Sequence, residues 1–192
     1  MYVRDARNRE EVWLLDHIEA MGLDDAAFRS RDYVIAVDEE SNTRAGFGRI
    51  RIHKDPDACE ITGIGVLDGW RDQGVGAHVI ERLLQKAGDE GFGEVYSLTD
   101  QPEYLVQFGF EFADPEELPA PIAERITEKR ETVSDEIQPL RIDVDGFEMP
   151  DRLRERFKSA AERDAEDAGP EETPEDFGID PDEATYKYDP RG

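Results

Sequence analysis

The chain of 192 residues predicts an α/β fold with a mixed, mostly antiparallel sheet flanked by helices. Three observations carry this. Three β-rich runs, residues 33–37, 45–52 and 58–67, follow one another across polar turns, as in an antiparallel meander. A glycine-bearing loop, Arg71-Asp72-Gln73-Gly74-Val75-Gly76, then opens a helix over residues 77–86. In that stretch Val75, Val79, Ile80, Leu83, Leu84 and Ala87 share one face. A buried-type strand, residues 94–98, comes after the helix, so the sheet is mixed and carries helices on both faces.

The remaining elements fall in order around these. Residues 2–6 read as a first strand. Residues 10–21 read as a helix, because Val12, Leu14, Leu15, Ile18 and Met21 recur near a 3.6 period. A second, short helix is predicted over residues 24–29. Glu39 to Asn42 and the Lys54-Asp55-Pro56-Asp57 cluster supply the meander turns. Gly88 and Gly91 end the long helix. Residues 102–108 predict a short helix, 110–112 a short strand, 121–130 a helix and 140–144 a last strand. Residues 1–146 thus form one domain. Residues 147–192 are an acidic extension: a charged helix over 151–166, then a stretch whose Gly-Pro, Thr-Pro and Asp-Pro breaks lie among acids and bury little. Phe177, Ile179, Tyr186 and Tyr188 are its candidate docking points.

Charge bounds the partners. Forty-eight acidic and 23 basic residues give a formal net charge of −25. The basic residues are 18 Arg and only 5 Lys. Such a surface repels phosphates, which argues against DNA, RNA or anionic membranes as partners. It suits a salt-rich cytoplasm, where the Debye length falls to ~3 Å at 1 M salt; the composition resembles proteins of haloarchaea. Cys59 is the only cysteine, so no intrachain disulfide forms and a reducing compartment fits. The N-terminus lacks the apolar core of a secretion signal, and no run reaches the ~20 apolar residues that span a bilayer. A cytoplasmic location is expected, as a monomer or a homodimer. No Cys, His or Asp spacing predicts a metal site.

The glycine loop is the place for an anion. The first N–H groups of a helix have no intrahelical acceptor, and the helix dipole favours negative charge there. Gly74 and Gly76 carry no Cβ, which lets a ligand approach the backbone. Two familiar phosphate loops are excluded. Ala77-His78 stands where a Walker A loop needs Lys-Ser or Lys-Thr, and the third glycine of a dinucleotide fingerprint is missing.

What remains resembles the GCN5-related N-acetyltransferase (GNAT) superfamily. Arg71, Gly74 and Gly76 match its Arg/Gln-x-x-Gly-x-Gly/Ala motif. Tyr104-Leu105-Val106-Gln107-Phe108-Gly109-Phe110 resembles its downstream aromatic-x-x-x-x-Gly-Phe segment. The resemblance covers residues 1–146 and implies acetyl-CoA as co-substrate. It places the pyrophosphate on the loop, over Arg71, Asp72, Gln73, Gly74, Val75 and Gly76. The pantetheine arm would add along Ile64, Gly65 and Val66 as an extra strand. The thioester would lie where that strand splays from residues 97–99, beside Thr99. A backbone N–H near Val66 is the implied oxyanion donor.

Acetyl transfer to an amine needs a base, an oxyanion donor and a proton for the leaving thiolate. Glu60 matches the family's strand carboxylate and is the candidate base. Alternation puts it on one face with Thr62 and Ile64, and a site near apolar groups should raise its pKa. A surface or ion-paired glutamate is the alternative. Many relatives carry a Tyr where this chain has Leu105, so Tyr104 is the candidate acid, with core packing or a water as alternatives. His78 reads as a solvent-facing or phosphate-edge residue, Cys59 as packing, and His17 and His53 as lacking partners. Phe108-Gly109-Phe110, Leu118-Pro119 and Ile122 resemble the short amino-acid N-acetyltransferases related to N-acetylglutamate synthase. That branch implies a small amine acceptor such as an amino acid, with Arg29, Arg31, Arg49 and Arg51 near the acceptor side. A protein or peptide N-acetyltransferase and a non-catalytic acetyl-CoA-binding module are the competing readings.

Overall fold

The computed structural model describes residues 1–164. The strands are β1 (Tyr2–Asp5), β2 (Tyr33–Val37), β3 (Arg44–His53), β4 (Ala58–Val66), β5 (Glu94–Thr99), β6 (Glu111–Phe112) and β7 (Gln138–Asp143). The helices are α1 (Glu11–Ala20), α2 (Val75–Asp89), α3 (Pro102–Val106), α4 (Ala120–Thr132) and α5 (Asp151–Lys158). Among the described residues the strands form one sheet in the order β1-β2-β3-β4-β5-β7-β6. Each neighbouring pair is antiparallel except β4 and β5. The mixed, mostly antiparallel sheet expected from the sequence is the one observed.

Side-chain alternation assigns each helix to a face. On β2, Val34 and Ala36 join the cluster of α2, whereas Tyr33, Ile35 and Val37 join that of α1. Both faces of this strand are covered, which is why it reads as an unbroken apolar run. On β5, Val95 meets the α2 cluster, while Tyr96 and Leu98 pack with Ile122 and Ile126 of α4. Helix α2 therefore lies on one face, and α1 and α4 lie on the other. Leu105 and Phe108 bring α3 to the α2 face.

Two predicted helices come out differently. Residues 24–29 form a loop instead of a short helix. The Asp24 carboxylate accepts the Ala26 N–H, Ala27 takes a positive φ, and the buried Arg49 guanidinium donates to the Ala26 and Ala27 carbonyls at 2.8 and 2.9 Å. Carbonyls bound to Arg49 are unavailable to a helix ladder. The charged helix predicted over residues 151–166 ends at Lys158. Its Leu153 and Phe157 are buried in the α2 cluster, so this helix is docked on the sheet's cover. The docking points named at Phe177, Ile179, Tyr186 and Tyr188 lie outside the described residues.

Candidate active site

The sheet opens where β4 and β5 run side by side. They pair only at Cys59 with Val95 and Glu60 with Tyr96. Past that point the ladder stops, although β4 continues to Val66 and β5 to Thr99. The Ser97 hydroxyl stands 3.5 Å from the Ile61 carbonyl at the start of the gap. Opposed strands that have parted leave backbone groups available to an extended ligand.

A bulge in β4 controls which side chains face this opening. Phe47 pairs with Gly65 but Arg49 pairs with Thr62, so β4 holds one extra residue there. Gly63 takes the left-handed conformation the bulge requires, with φ +60°. The extra residue inverts the alternation. Glu60 and Thr62 face α4, whereas Ile64 and Val66 pack against the α2 cluster. The expectation that Glu60, Thr62 and Ile64 share one face fails for this reason.

Glu60 is fully buried. Its Oε2 accepts from His53 Nε2 at 3.0 Å, while Arg125 Nε and Lys129 Nζ of α4 lie 3.5 and 3.8 Å away. Burial pushes its pKa up, as the sequence suggested, but His53, Lys129 and Arg125 together hold it below the usual carboxylate range. Glu60 is thus an anion at neutral pH. Its Oε1 has no hydrogen-bond partner among the described residues. Lys129 reaches across the open strands, donating to the Leu98 carbonyl at 3.0 Å and lying 3.5 Å from Thr62 Oγ1. Burial lowers the Lys129 pKa against the pull of Glu60. On the other side of Glu60, His53 lines a cleft of about 450 Å3 with Arg51, Lys54, Glu124, Arg125 and Glu128. His53 therefore has the partner it lacked in the sequence, seven residues away across the β3–β4 hairpin.

The loop after β4 forms a single 3-10 turn at Asp68–Trp70 and then enters α2. Asp72 and Gly74 both take positive φ, +60° and +75°. Left-handed residues in such a run turn successive N–H groups toward one point, a nest for an anion. Among the described residues, no backbone carbonyl outside α2 accepts from the N–H groups of Gln73, Gly74, Val75, Gly76 or Ala77. This cradle fits a pyrophosphate. Arg71 is exposed and pairs with Asp68 at 3.0 Å. The glycines serve a further purpose. A Cβ on Gly76 would stand 2.8 Å from the Tyr104 hydroxyl, and one on Gly74 would meet the Leu153 carbonyl of α5. In this structure protein atoms occupy the space that the missing Cβ atoms leave.

Tyr104 lies on the α2 face, edge-on to Phe108, and Glu60 lies on the α4 face. The candidate acid and base thus stand on opposite sides of the sheet, with the β4–β5 opening between them. The Thr99 hydroxyl accepts the Gln101 N–H at 3.0 Å, closing the turn after β5. Cys59 faces away from Glu60, and burial pushes its thiol up to about 12, which leaves it inert. His78 is not solvent-facing. It is buried under α5, donates from Nδ1 to the Gly74 carbonyl at 2.7 Å, and stacks on Phe157 with ring centres 3.7 Å apart. Arg49 holds loop carbonyls, Arg29 pairs with Asp32, and Arg51 lies 3.6 Å from Asp24. Among the described residues, no group of three His, Cys, Asp or Glu side chains is placed to hold a metal, and no helix is long and apolar enough to cross a membrane.

An open parallel pair next to a nest at a helix start is the arrangement of an acetyltransferase fold. The chain belongs to the acetyltransferase (GNAT) family, whose profile matches residues 2–110, more than half of its length. Its co-substrate class is accordingly acetyl-CoA. Solved structures share the fold. Rv2747 from Mycobacterium tuberculosis, in complex with CoA, is 17% identical with a TM-score of 0.60, covering 74% of this chain and 99% of that one. N-acetylglutamate synthase from Neisseria gonorrhoeae, complexed with CoA and N-acetyl-glutamate, is 19% identical with a TM-score of 0.58, over 74% of this chain. The match spans only 34% of that synthase's length. Naa50 from Arabidopsis thaliana, bound to a CoA-peptide bisubstrate analogue, is 14% identical with a TM-score of 0.50, covering 73% and 97% of the two chains.

Proposed function

We propose that this protein transfers the acetyl group of acetyl-CoA to the primary amine of a small zwitterionic acceptor, such as an amino acid, in a salt-rich cytoplasm. The observation that carries the reading is Oε1 of the fully buried Glu60, which accepts no hydrogen bond among the described residues and has only the Lys129 ammonium, 3.8 Å away, at the edge of the open strands. A buried carboxylate oxygen without a donor is costly unless a ligand or water completes it. An acceptor ammonium, or a water relaying its proton, supplies that donor.

In this reading the residues of each face do separate work. Glu60, held ionised by Arg125 and Lys129, attracts the ammonium and orients His53. With Nε2–H given to Glu60, His53 offers Nδ1 to accept the amine's proton, directly or through water. Arg51, Lys54 and Arg125 offer charge to an acceptor carboxylate, and Glu124 and Glu128 to its ammonium. Asp24 engages Arg51 and Arg125, so Lys54 is the cation of this cleft least committed to the fold. On the other face the nest from Asp72 to Gly76 would hold the pyrophosphate, and Ile64 to Val66 the pantetheine arm. Acetyl-CoA brings the activated acyl group. Tyr104 stands beside the start of α2 as the proton donor to the departing thiol. The complex of the gonococcal synthase with N-acetyl-glutamate supports an amino-acid acceptor over a peptide.

The test is CoA thiol release from acetyl-CoA with a panel of amino acids, polyamines and peptides in molar KCl. Glu60→Gln and His53→Asn should each lower kcat by about a hundredfold, within the range for a positioned base. Acetyl-CoA should still raise the melting temperature of both variants. Unchanged turnover in both would remove the assigned base. Turnover confined to peptides would move the acceptor class to peptide N-termini.

A further inference from the structure

The nest assigned to the pyrophosphate is not self-supporting. Asp72 is a non-glycine residue in the left-handed region, and Gly74 shares that conformation two residues on. Such backbone persists only when its surroundings hold it. Gln73 lies between the two and is buried. Its side-chain amide makes a two-way bond with one residue far along the chain: Nε2 donates to the Ala161 carbonyl at 2.8 Å, and Oε1 accepts the Ala161 N–H at 3.0 Å. The same short segment then crosses the preceding turn. The Arg163 N–H donates to the Gly69 carbonyl at 2.9 Å, and a Cβ on Gly69 would stand 2.8 Å from the Arg163 carbonyl. Just before it, α5 puts the Leu153 carbonyl against Gly74 and stacks Phe157 on His78, which itself binds the Gly74 carbonyl.

We propose that residues 160–163 form a strap that is part of the cofactor site, and that Gln73 is a positioning residue setting the shape of the pyrophosphate nest through Ala161. The strap holds the loop by its side-chain amide and by its carbonyls. Those contacts leave the N–H groups of Gly74, Val75 and Gly76 available to the ligand. A rigid nest binds its anion without first paying to order the loop. Loss of the strap contact therefore weakens cofactor binding and leaves chemistry at saturating cofactor unchanged. The inference rests on the loop being the acetyl-CoA site.

The full chain carries the test in three variants: Gln73→Met, which keeps length and removes both hydrogen bonds to Ala161 together with the longer one from Nε2 to the Gly69 carbonyl at 3.3 Å; Ala161→Pro, which removes the donor on the strap; and the two combined. Each should raise the KM and Kd for acetyl-CoA by about tenfold, the effect of one or two lost hydrogen bonds, with kcat at saturation within about twofold. The double variant should match Gln73→Met, because Ala161→Pro breaks part of the contact that Gln73→Met already removes. Amide exchange supplies a reading independent of turnover. Acetyl-CoA should slow exchange at residues 160–163 in the unsubstituted protein and not in Gln73→Met, since coupling is reciprocal. Additive effects, a wild-type KM in Ala161→Pro, or equal protection of the strap in Gln73→Met would overturn the proposal. A lower KM in any variant would overturn it too, because the strap would then obstruct the site. If acetyl-CoA fails to stabilise even the unsubstituted protein, it is the assignment of the loop to acetyl-CoA that falls.

Discussion

The charge on Glu60 is decided by three side chains that no local stretch of sequence brings to it. Burial alone would neutralise it, and His53, Lys129 and Arg125 keep it ionised. The carboxylate was legible as a candidate because of its place in a strand before the glycine loop. Its partners were not, since Arg125 and Lys129 arrive on a helix about 65 residues later, and His53 joins only once the hairpin register is set. Tyr104 and Gly76 show the same limit. The motif names both, but only packing puts the hydroxyl where a Gly76 side chain would stand. Gly76→Ala should therefore lower the stability by about 1–2 kcal/mol through overpacking, and Gly76→Ala/Tyr104→Phe should recover most of it. Urea midpoints of the two variants check this; equal losses in both would show that the hydroxyl is not the obstacle.

Elements are joined here by buried ions as much as by apolar faces. Glu10, at the start of α1, is fully buried and accepts from Arg4 of β1 at 2.7 and 2.8 Å, Arg44 of β3 at 2.9 Å and the Arg7 N–H at 2.8 Å. Burial opposes its charge, but the two guanidinium groups win and bring its pKa down from 4.5 to about 2. A carboxylate whose folded pKa is depressed stabilises the fold fully above its unfolded value. That stability is lost as the pH falls through the folded value. The protein should thus lose stability between about pH 4.5 and about pH 2, and Glu10→Gln should flatten that slope in acid-unfolding curves. An unchanged slope would assign acid sensitivity to other carboxylates. The bulge at Gly63 is an element-scale device of another kind. One extra residue turns Glu60 toward α4 and Ile64 toward α2, and simple alternation could not have forecast it.

At the scale of the whole molecule, the charge and the fold pull against each other. A net charge of −25 on 192 residues disfavours the compact state at low ionic strength, because the repulsions are long-ranged there. Paired clusters such as Glu10 with Arg4 and Arg44 are buried and screened little. The unpaired acids of the surface respond to salt. Raising KCl from about 0.1 M to about 2 M should therefore raise the melting temperature steadily, as the Debye length shrinks from ~10 Å toward ~3 Å. A flat response would show that surface repulsion does not limit this fold. The same scale links distant parts of the chain. Helix α5 and the segment to Arg163 return to the loop at residues 69–76, so the C-terminal part of the described chain bears on the end of the sheet where α2 begins.

By itself the sequence determined the sheet, the order of its longer helices and the glycine loop that opens α2. These follow from short-range patterns: apolar periods of two and 3.6 residues, and glycines at fixed spacing next to a helix start. Tertiary structure decided what those residues do. It put His53 and the α4 cations on Glu60, filled the space of Gly74 and Gly76 with protein atoms, and returned Ala161 to Gln73. Each depends on atoms distant in sequence meeting within about 4 Å, the range over which hydrogen bonds and buried ion pairs take effect.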